Sequence, residues 1–316
     1  MSHGLLKQDT MFYVGSTPWH GMGNPLDSLA TAQEAIAAAN LGWKVEQEAV
    51  ITREGIELPG KFITVRSDTR QPLGVVGAQY KILQNDEAFT FFDRVTQDPH
   101  GPKYETAGSL WNGRKIWALA KMPEYFEVTK DDVVAPYILL SNSHDGSSAV
   151  KMQLTPIRVV CQNTLNMAEA SKGKGIKVRH SGDISLKIDK AQDALGLIRK
   201  SFDETFEVYK ALANVEPSED QVKQVMERLF PDTKSARAEL QRDRVLELAQ
   251  VGIGNAPVAG TAWALYNGVT ELVDHHANLG SKREDANDMR LNAAVFGSGY
   301  DRKADALQVI AEVCLN

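Results

Sequence analysis

Cysteine is nearly missing from this chain: Cys161 and Cys314 are the only two in 316 residues. A disulfide framework therefore does not organise the fold, and two thiolates cannot build a zinc site by themselves. Each reads as a small buried apolar residue. No stretch approaches the roughly 20 consecutive apolar residues that a membrane-crossing helix needs. The opening Met1-Ser2-His3-Gly4-Leu5-Leu6-Lys7 has neither the apolar core nor the cleavage site of a secretory signal, so a cytoplasmic, membrane-free chain is expected. Phosphate loops are missing too. Gly173-Lys174-Gly175-Ile176-Lys177 lacks the spacing that curls amides round a phosphate. Gly252-Ile253-Gly254-Asn255-Ala256-Pro257 follows helical periodicity instead of a strand, with Pro257 where a glycine is required. Both read as connectors, and no cofactor is expected.

Catalytic constellations are equally scarce. Ser143-His144-Asp145 holds triad letters in adjacent positions, which cannot line up as nucleophile, base and orienter. It reads as a polar turn with exposed side chains. His275 and His276 follow Asp274, but neighbouring helical positions diverge by about 100 degrees, so one of them at most can join Asp274 or Glu271. The H-E-x-x-H spacing is absent, and His20 has no better claim. The expectation is a protein that is not an enzyme and holds no metal.

The apolar fraction of 43% and charged fraction of 24% are ordinary for a globular chain. The length exceeds what one core usually serves, so two units are expected: an α+β part over 1–184 and a helical part over 185–316. Thr31-Ala32-Gln33-Glu34 is a capping box that starts a helix running to Asn40, with Gly42 as its left-handed stop. Strand-like segments follow at 43–52, 61–67 and 73–80. Asn85 is a natural N-cap for a second helix whose Ala88, Phe91, Phe92 and Val95 share a face. Tyr104–Lys121 reads as a hairpin about Trp111-Asn112-Gly113-Arg114, since Asn-Gly accepts the positive φ that such turns demand. A second pair, 136–141 with 148–160, turns helical over 161–171, and 172–182 is a polar connector. From Ser185 the period becomes 3.6, with helices near 185–213, 217–229, 233–250, 259–278, 283–293 and 301–314. The order is not an alternating β-α-β series. An antiparallel sheet with helices on one face, then an all-helical region, is the expected architecture.

Charge is unevenly placed. The net charge is −6, yet residues 151–200 carry ten basic against four acidic residues, and residues 201–250 seven against eleven. Lys151, Arg158 and Asn163 lie where a strand runs into a helix, whose first amides can hold an anion. Lys172, Lys174, Lys177, Arg179 and His180 form a basic ribbon just beyond. Arg114 and Lys115 extend the basic set, and Trp111 or Tyr80 can offer rings on which bases stack.

Five segments carry a resemblance: Pro18-Trp19-His20-Gly21-Met22-Gly23, Tyr80–Phe89, Ser141–Gly146, Arg158–Leu165 and Gly260–Glu271. Together they resemble the phage/plasmid-like protein family, a group of phage-, prophage- and plasmid-encoded proteins of unknown function. The order of elements is also similar to single-strand annealing proteins of the RecT and Red-beta type. That resemblance implies a ring or filament holding single-stranded DNA in a basic groove without nucleotide hydrolysis. Two functions of different class are carried forward. One is a single-stranded-DNA-binding and annealing protein acting in recombination as a homo-oligomer. The other is a host-takeover protein, anti-restriction or anti-defence, whose acidic helical half binds a host protein.

Overall fold

Two sheets divide the described strands between them. The computed structural model describes residues 10–15, 23–96, 103–122, 125–130, 132–158, 176–182, 202–231, 235–276 and 298–316. Strands β1 (Met11–Val14) and β2 (Asn24–Leu26) precede helix α1 (Ala32–Ala38). Strands β3 (Val45–Ile51), β4 (Glu57–Arg66) and β5 (Pro72–Gly77) form a three-stranded antiparallel sheet. Helix α2 (Asn85–Thr96) follows, then β6 (Lys103–Leu110), β7 (Lys115–Lys121), β8 (Phe126–Thr129), β9 (Asp132–Ser143), β10 (Val150–Arg158) and β11 (Ile176–Val178). The large sheet has the order β11-β10-β9-β7-β6-β1-β2, with β8 on β9. It is antiparallel except where β1 pairs with β2 in parallel, so it is mixed and not purely antiparallel as expected. The C-terminal part is helical: α3 (202–213), α4 (Glu219–Leu229), α5 (Ala236–Val251), α6 (Ala262–Glu271) with a π turn over Leu272–His276, and α7 (Ser298–Cys314).

Local chemistry accounts for most boundaries. Thr31 and Glu34 make the expected reciprocal capping box. The stop of α1 is not Gly42 but Asn40, at φ 51°, with Leu41 N–H closing onto Ile36 C=O at 2.8 Å. At α2 the expected cap is displaced by one residue. Glu87 reaches back to Gln84 N–H at 2.9 Å, while Asn85 begins the helix and spends its side chain elsewhere. The β6–β7 hairpin is present, but its turn is centred one residue earlier than Asn-Gly. Gly113 N–H bonds to Leu110 C=O, with Trp111 at φ 53° and Asn112 at φ 60°. A bulky residue seldom adopts that conformation. Residues 176–178, expected within a connector, pair with β10 as an edge strand. The expected helices over 161–171 and 283–293 lie outside the described residues.

One buried cluster runs from the sheet into the helices. Phe12, Phe89, Phe92, Tyr104, Ile138 and Leu140 belong to it, and so do Phe202, Tyr209, Trp263, Tyr266 and Ile310. Phe126 on β8 meets Phe202 and Phe206 of α3, both at 4.7 Å between ring centres. Trp263 Nε1 donates to Asp132 Oδ2 at 2.8 Å, with both residues buried, and so fastens α6 to the start of β9. Helices α5 and α6 cross closely: a Cβ on Gly268 would lie 2.7 Å from Val245 C=O. Among the described residues no helix is long and apolar enough to cross a membrane.

The Trp263–Asp132 bond should be worth measuring directly. Removing the indole N–H leaves a buried carboxylate short of a donor, at a cost of about 1–3 kcal/mol. Trp263→Phe is therefore expected to lower the urea-unfolding free energy by that amount, and an unchanged midpoint would show that the bond does not couple sheet and helices.

Candidate nucleic-acid interface

At one end of the large sheet β7 and β10 begin while β9 and β11 end. The register there sets Trp117 opposite Ser141, Ser141 opposite Lys151, and Lys151 opposite Lys177, across four neighbouring strands. Lys115 lies two residues along β7 from Trp117, opposite Ser143. Residues paired across a ladder, and residues two apart, share a face. Lys115, Trp117, Ser141, Ser143, Lys151 and Lys177 thus occupy one face at one end, within about 15 Å at a strand spacing near 4.8 Å. Exposed Arg114 adjoins this end through its carbonyl, which accepts His144 N–H at 2.7 Å. Exposed Lys81 and Arg179 flank His180, whose carbonyl accepts Lys81 N–H at 2.9 Å.

This face is graded in depth. Lys177 is exposed and Lys151 half-buried, whereas Lys115 is 7% exposed and Ser141 fully buried. Burial, then repulsion from Lys151, pulls the Lys115 ammonium down to about 8, against attraction from Asp145. Burial and Lys177 lower Lys151, which Asp301 partly offsets. Trp117 Nε1 and Ser141 Oγ are buried without a hydrogen-bond partner. Such atoms are costly to leave unmet; Asn142 Oδ1 and His144 Nδ1 on the opposite face are in the same condition. Ser143 gives its hydroxyl proton to Ser148 C=O at 2.7 Å; the other side chains of the row carry an indole N–H, a hydroxyl and ammonium groups.

The opposite face of the same strand ends is structural. Segment 81–85 lies alongside it like a rail. Lys81 C=O takes His180 Nδ1 at 3.0 Å, Leu83 C=O takes Asn142 Nδ2 at 3.0 Å, and Asn85 Oδ1 meets His144 Nε2 at 2.8 Å. Asn85 Nδ2 donates to Leu41 and Trp43 carbonyls, so its oxygen must face His144, which donates from Nε2. His144, expected as an exposed turn residue, is instead 0% exposed, with the edge of Trp43 at 5.4 Å between ring centres. Its carbonyl accepts Thr64 Oγ1 at 2.7 Å, and a Cβ on Gly74 would lie 2.7 Å from Asp145 Cα. The small sheet is thereby pressed onto the β9–β10 turn.

The residues nominated by charge and ring content are partly brought together. Arg114, Lys115, Lys151, Lys177 and Arg179 gather at this sheet end, as do Trp111 and Tyr80. The rings are engaged within the fold. Trp111 packs on Met11, Leu110 and Trp117, while Tyr80 stacks on His180 at 4.7 Å and donates to Ser143 C=O at 2.7 Å. Arg158 pairs with Val134 at the far end of β10, seven residues and roughly 23 Å from Lys151 at 3.3 Å per residue. It does not join the row, and only its backbone is described. Asn163, Lys172 and Lys174 lie outside the described residues. Trp117, Ser141 and Lys81 escaped the reading of the sequence. The alternation of Lys115-Ile116-Trp117 was the available signal for the first of them.

Two other charged features are absorbed internally. The glycine loop at 252–255 does hold an anion, but the anion is the chain's own Glu271: its Oε2 accepts Ile253 N–H at 3.0 Å, and a Cβ on Gly252 would sit 2.5 Å from it. His276 joins Glu271 at 3.5 Å, and Asp274 pairs with buried Lys303 at 2.7 Å. Among the described residues no group of three or more His, Cys, Asp or Glu is disposed to hold a metal ion. Cys314 is buried, as expected.

The rail, the β9–β10 turn and α6 all fall within residues 72–296, which match the family model for a domain of unknown function, DUF932. The match covers more than half of the chain, and the chain belongs to that family. No curated protein and no solved structure matches it.

His144 gives this end a pH signature. Burial, with the nearby His180 and Arg66 charges, pulls its imidazole from 6.5 down to about 3, and burial lowers His180 as well. The unfolded chain then takes up the proton first. Stability should be complete above pH 6.5 and fall toward pH 3, by at most about 1.4 kcal/mol per pH unit from His144. His144→Asn should lower stability at pH 7 yet flatten this acid limb in urea titrations between pH 7 and 4. Parallel curves would exclude the assignment.

Proposed function

We propose that this chain is a nucleotide-independent protein that binds and anneals single-stranded DNA in phage or plasmid recombination, acting as an oligomer. The observation that carries the reading is the basic sheet end. Lys115, Lys151 and Lys177 stand on one face, with exposed Arg114, Lys81 and Arg179 at the same end. No described carboxylate lies within ion-pair distance of Lys151 or Lys177, which leaves those charges available to phosphates. Repulsion among the lysines is relieved when an anion arrives, so the arrangement favours the bound state. The exposed acids Asp203, Glu204, Glu207, Glu216, Glu219 and Asp220 lie on and around α3 and α4, in the helical region. They give the second reading, a host-protein-binding surface, its one specific support.

Fluorescence anisotropy with a labelled 50-mer tests the proposal. Affinity should fall with salt by about 0.7 in log–log slope per phosphate neutralised. Lys151→Glu with Lys177→Glu should weaken binding roughly tenfold or more and flatten that slope. Affinity should also decline as pH rises through about 8, where Lys115 loses its proton. No binding even at low salt would overturn the proposal, and capture of a host protein by the full chain in that case would favour the second reading.

A further inference from the structure

The bottom of the basic end asks for a particular kind of phosphate. Trp117 Nε1 and Ser141 Oγ are each buried without a hydrogen-bond partner, on residues that pair across β7 and β9, with Lys115 and Lys151 on the same face. An indole N–H can only donate, a hydroxyl can donate, and an ammonium has three protons to give. Such a set suits an anion with several terminal oxygens. An internal phosphodiester carries one negative charge, offers two such oxygens, and is flanked by sugars on both sides. It is suited to the outer rim, at Lys177 and Arg179. A phosphomonoester carries about −1.5 to −2 charges at neutral pH, offers three oxygens, and is substituted on one side alone. It alone can present its free side to buried donors while its chain leaves along exposed lysines. Asp145 and Asp301 are the described acids that act on Lys115 and Lys151, and neither makes an ion pair with Lys151.

We infer that Trp117, Ser141, Lys115 and Lys151 form a seat for a phosphomonoester, by which the protein holds the phosphorylated end of a nucleic-acid strand. This rests on the single-strand-binding reading and adds to it an end preference that the lysine row alone does not supply. The ligand class is a terminal phosphate, and the two ends of a strand and free phosphate are separate sources of it.

The test uses the full chain and three 20-mers of one sequence, ending in a 5′-phosphate, a 3′-phosphate or hydroxyls at both ends. Each competes with a labelled strand, and inorganic phosphate is titrated in parallel by calorimetry. One phosphorylated end should bind roughly tenfold tighter than the hydroxyl-ended strand, the scale of a charge-assisted hydrogen bond. Ser141→Ala and Trp117→Phe should bring the ratio of phosphorylated to unphosphorylated affinity to one, with folding checked by circular dichroism. Lys151→Gln serves where Trp117→Phe does not fold. Equal affinity of the wild-type protein for all three strands would overturn the seat while leaving strand binding intact. Failure to bind any strand, together with phosphate binding that Ser141→Ala removes, would keep the seat and overturn the strand-binding reading. No response to either strands or phosphate would overturn both.

Discussion

The bond between Asn85 and His144 is the constraint on which this end of the molecule depends. It is buried, it is 2.8 Å long, and it joins residues 59 apart in sequence. One side chain bonds three residues at once: Asn85 meets Leu41 and Trp43 on the chain leaving α1, and His144 in the turn after β9. Without it, the buried Asn85 Oδ1 and His144 Nε2 would each lose the partner that each has in the other. A buried network of this kind is worth most when every rung is filled, because a half-filled one leaves desolvated groups behind. The neighbouring rungs, Leu83 with Asn142 and Lys81 with His180, extend the same clasp to β11. The position of Lys177 is therefore set by a histidine three residues on, held across the chain from Lys81.

What the sequence disclosed and what it withheld divide by distance along the chain. The α1 capping box, the β6–β7 hairpin and the apolar stripe of α2 were legible because each is decided by residues within a turn or two. The burial of His144 was not, because a polar tract reads as solvated until its partner is known, and Asn85 belongs to another element. The glycine loop at 252 joins α5 to α6 as a connector, and its carboxylate partner is invisible in the linear sequence for the same reason: Glu271 lies 18 residues beyond Ile253, at the end of α6. At the candidate site, charge could be counted but not placed. Lys151 and Arg158 are close in sequence and share β10, and it is the extended backbone that separates them, whereas pairing brings distant Lys115, Lys151 and Lys177 abreast.

Sheet and helical region are not independent in their packing. Asp132 is the first residue of β9, Trp263 stands near the start of α6, and the bond between them passes through a shared apolar cluster. That bond ties α6 to the start of the same strand whose other end carries Ser141 and Ser143. A composition that switches from mixed to helical near residue 185 marks a change of secondary structure; it does not mark a gap in the core.

The tract Ser141-Asn142-Ser143-His144 shows how one strand end can carry two roles without conflict. Alternation sends Ser141 and Ser143 to one face, Asn142 and His144 to the other. Of the first pair, Ser141 leaves its hydroxyl toward the row of lysines while Ser143 donates its own to Ser148 C=O at 2.7 Å within the turn; the second pair is fixed by a rail of carbonyls and a carboxamide. A shift of register by one residue would exchange the faces, burying hydroxyls against carbonyl-bound histidine positions and turning imidazoles toward ammonium groups. The clasp on one face is consequently what guarantees the donors on the other. Polar residues at four successive positions, which look like a solvated turn in a linear reading, are what a strand needs when both of its faces are put to polar use.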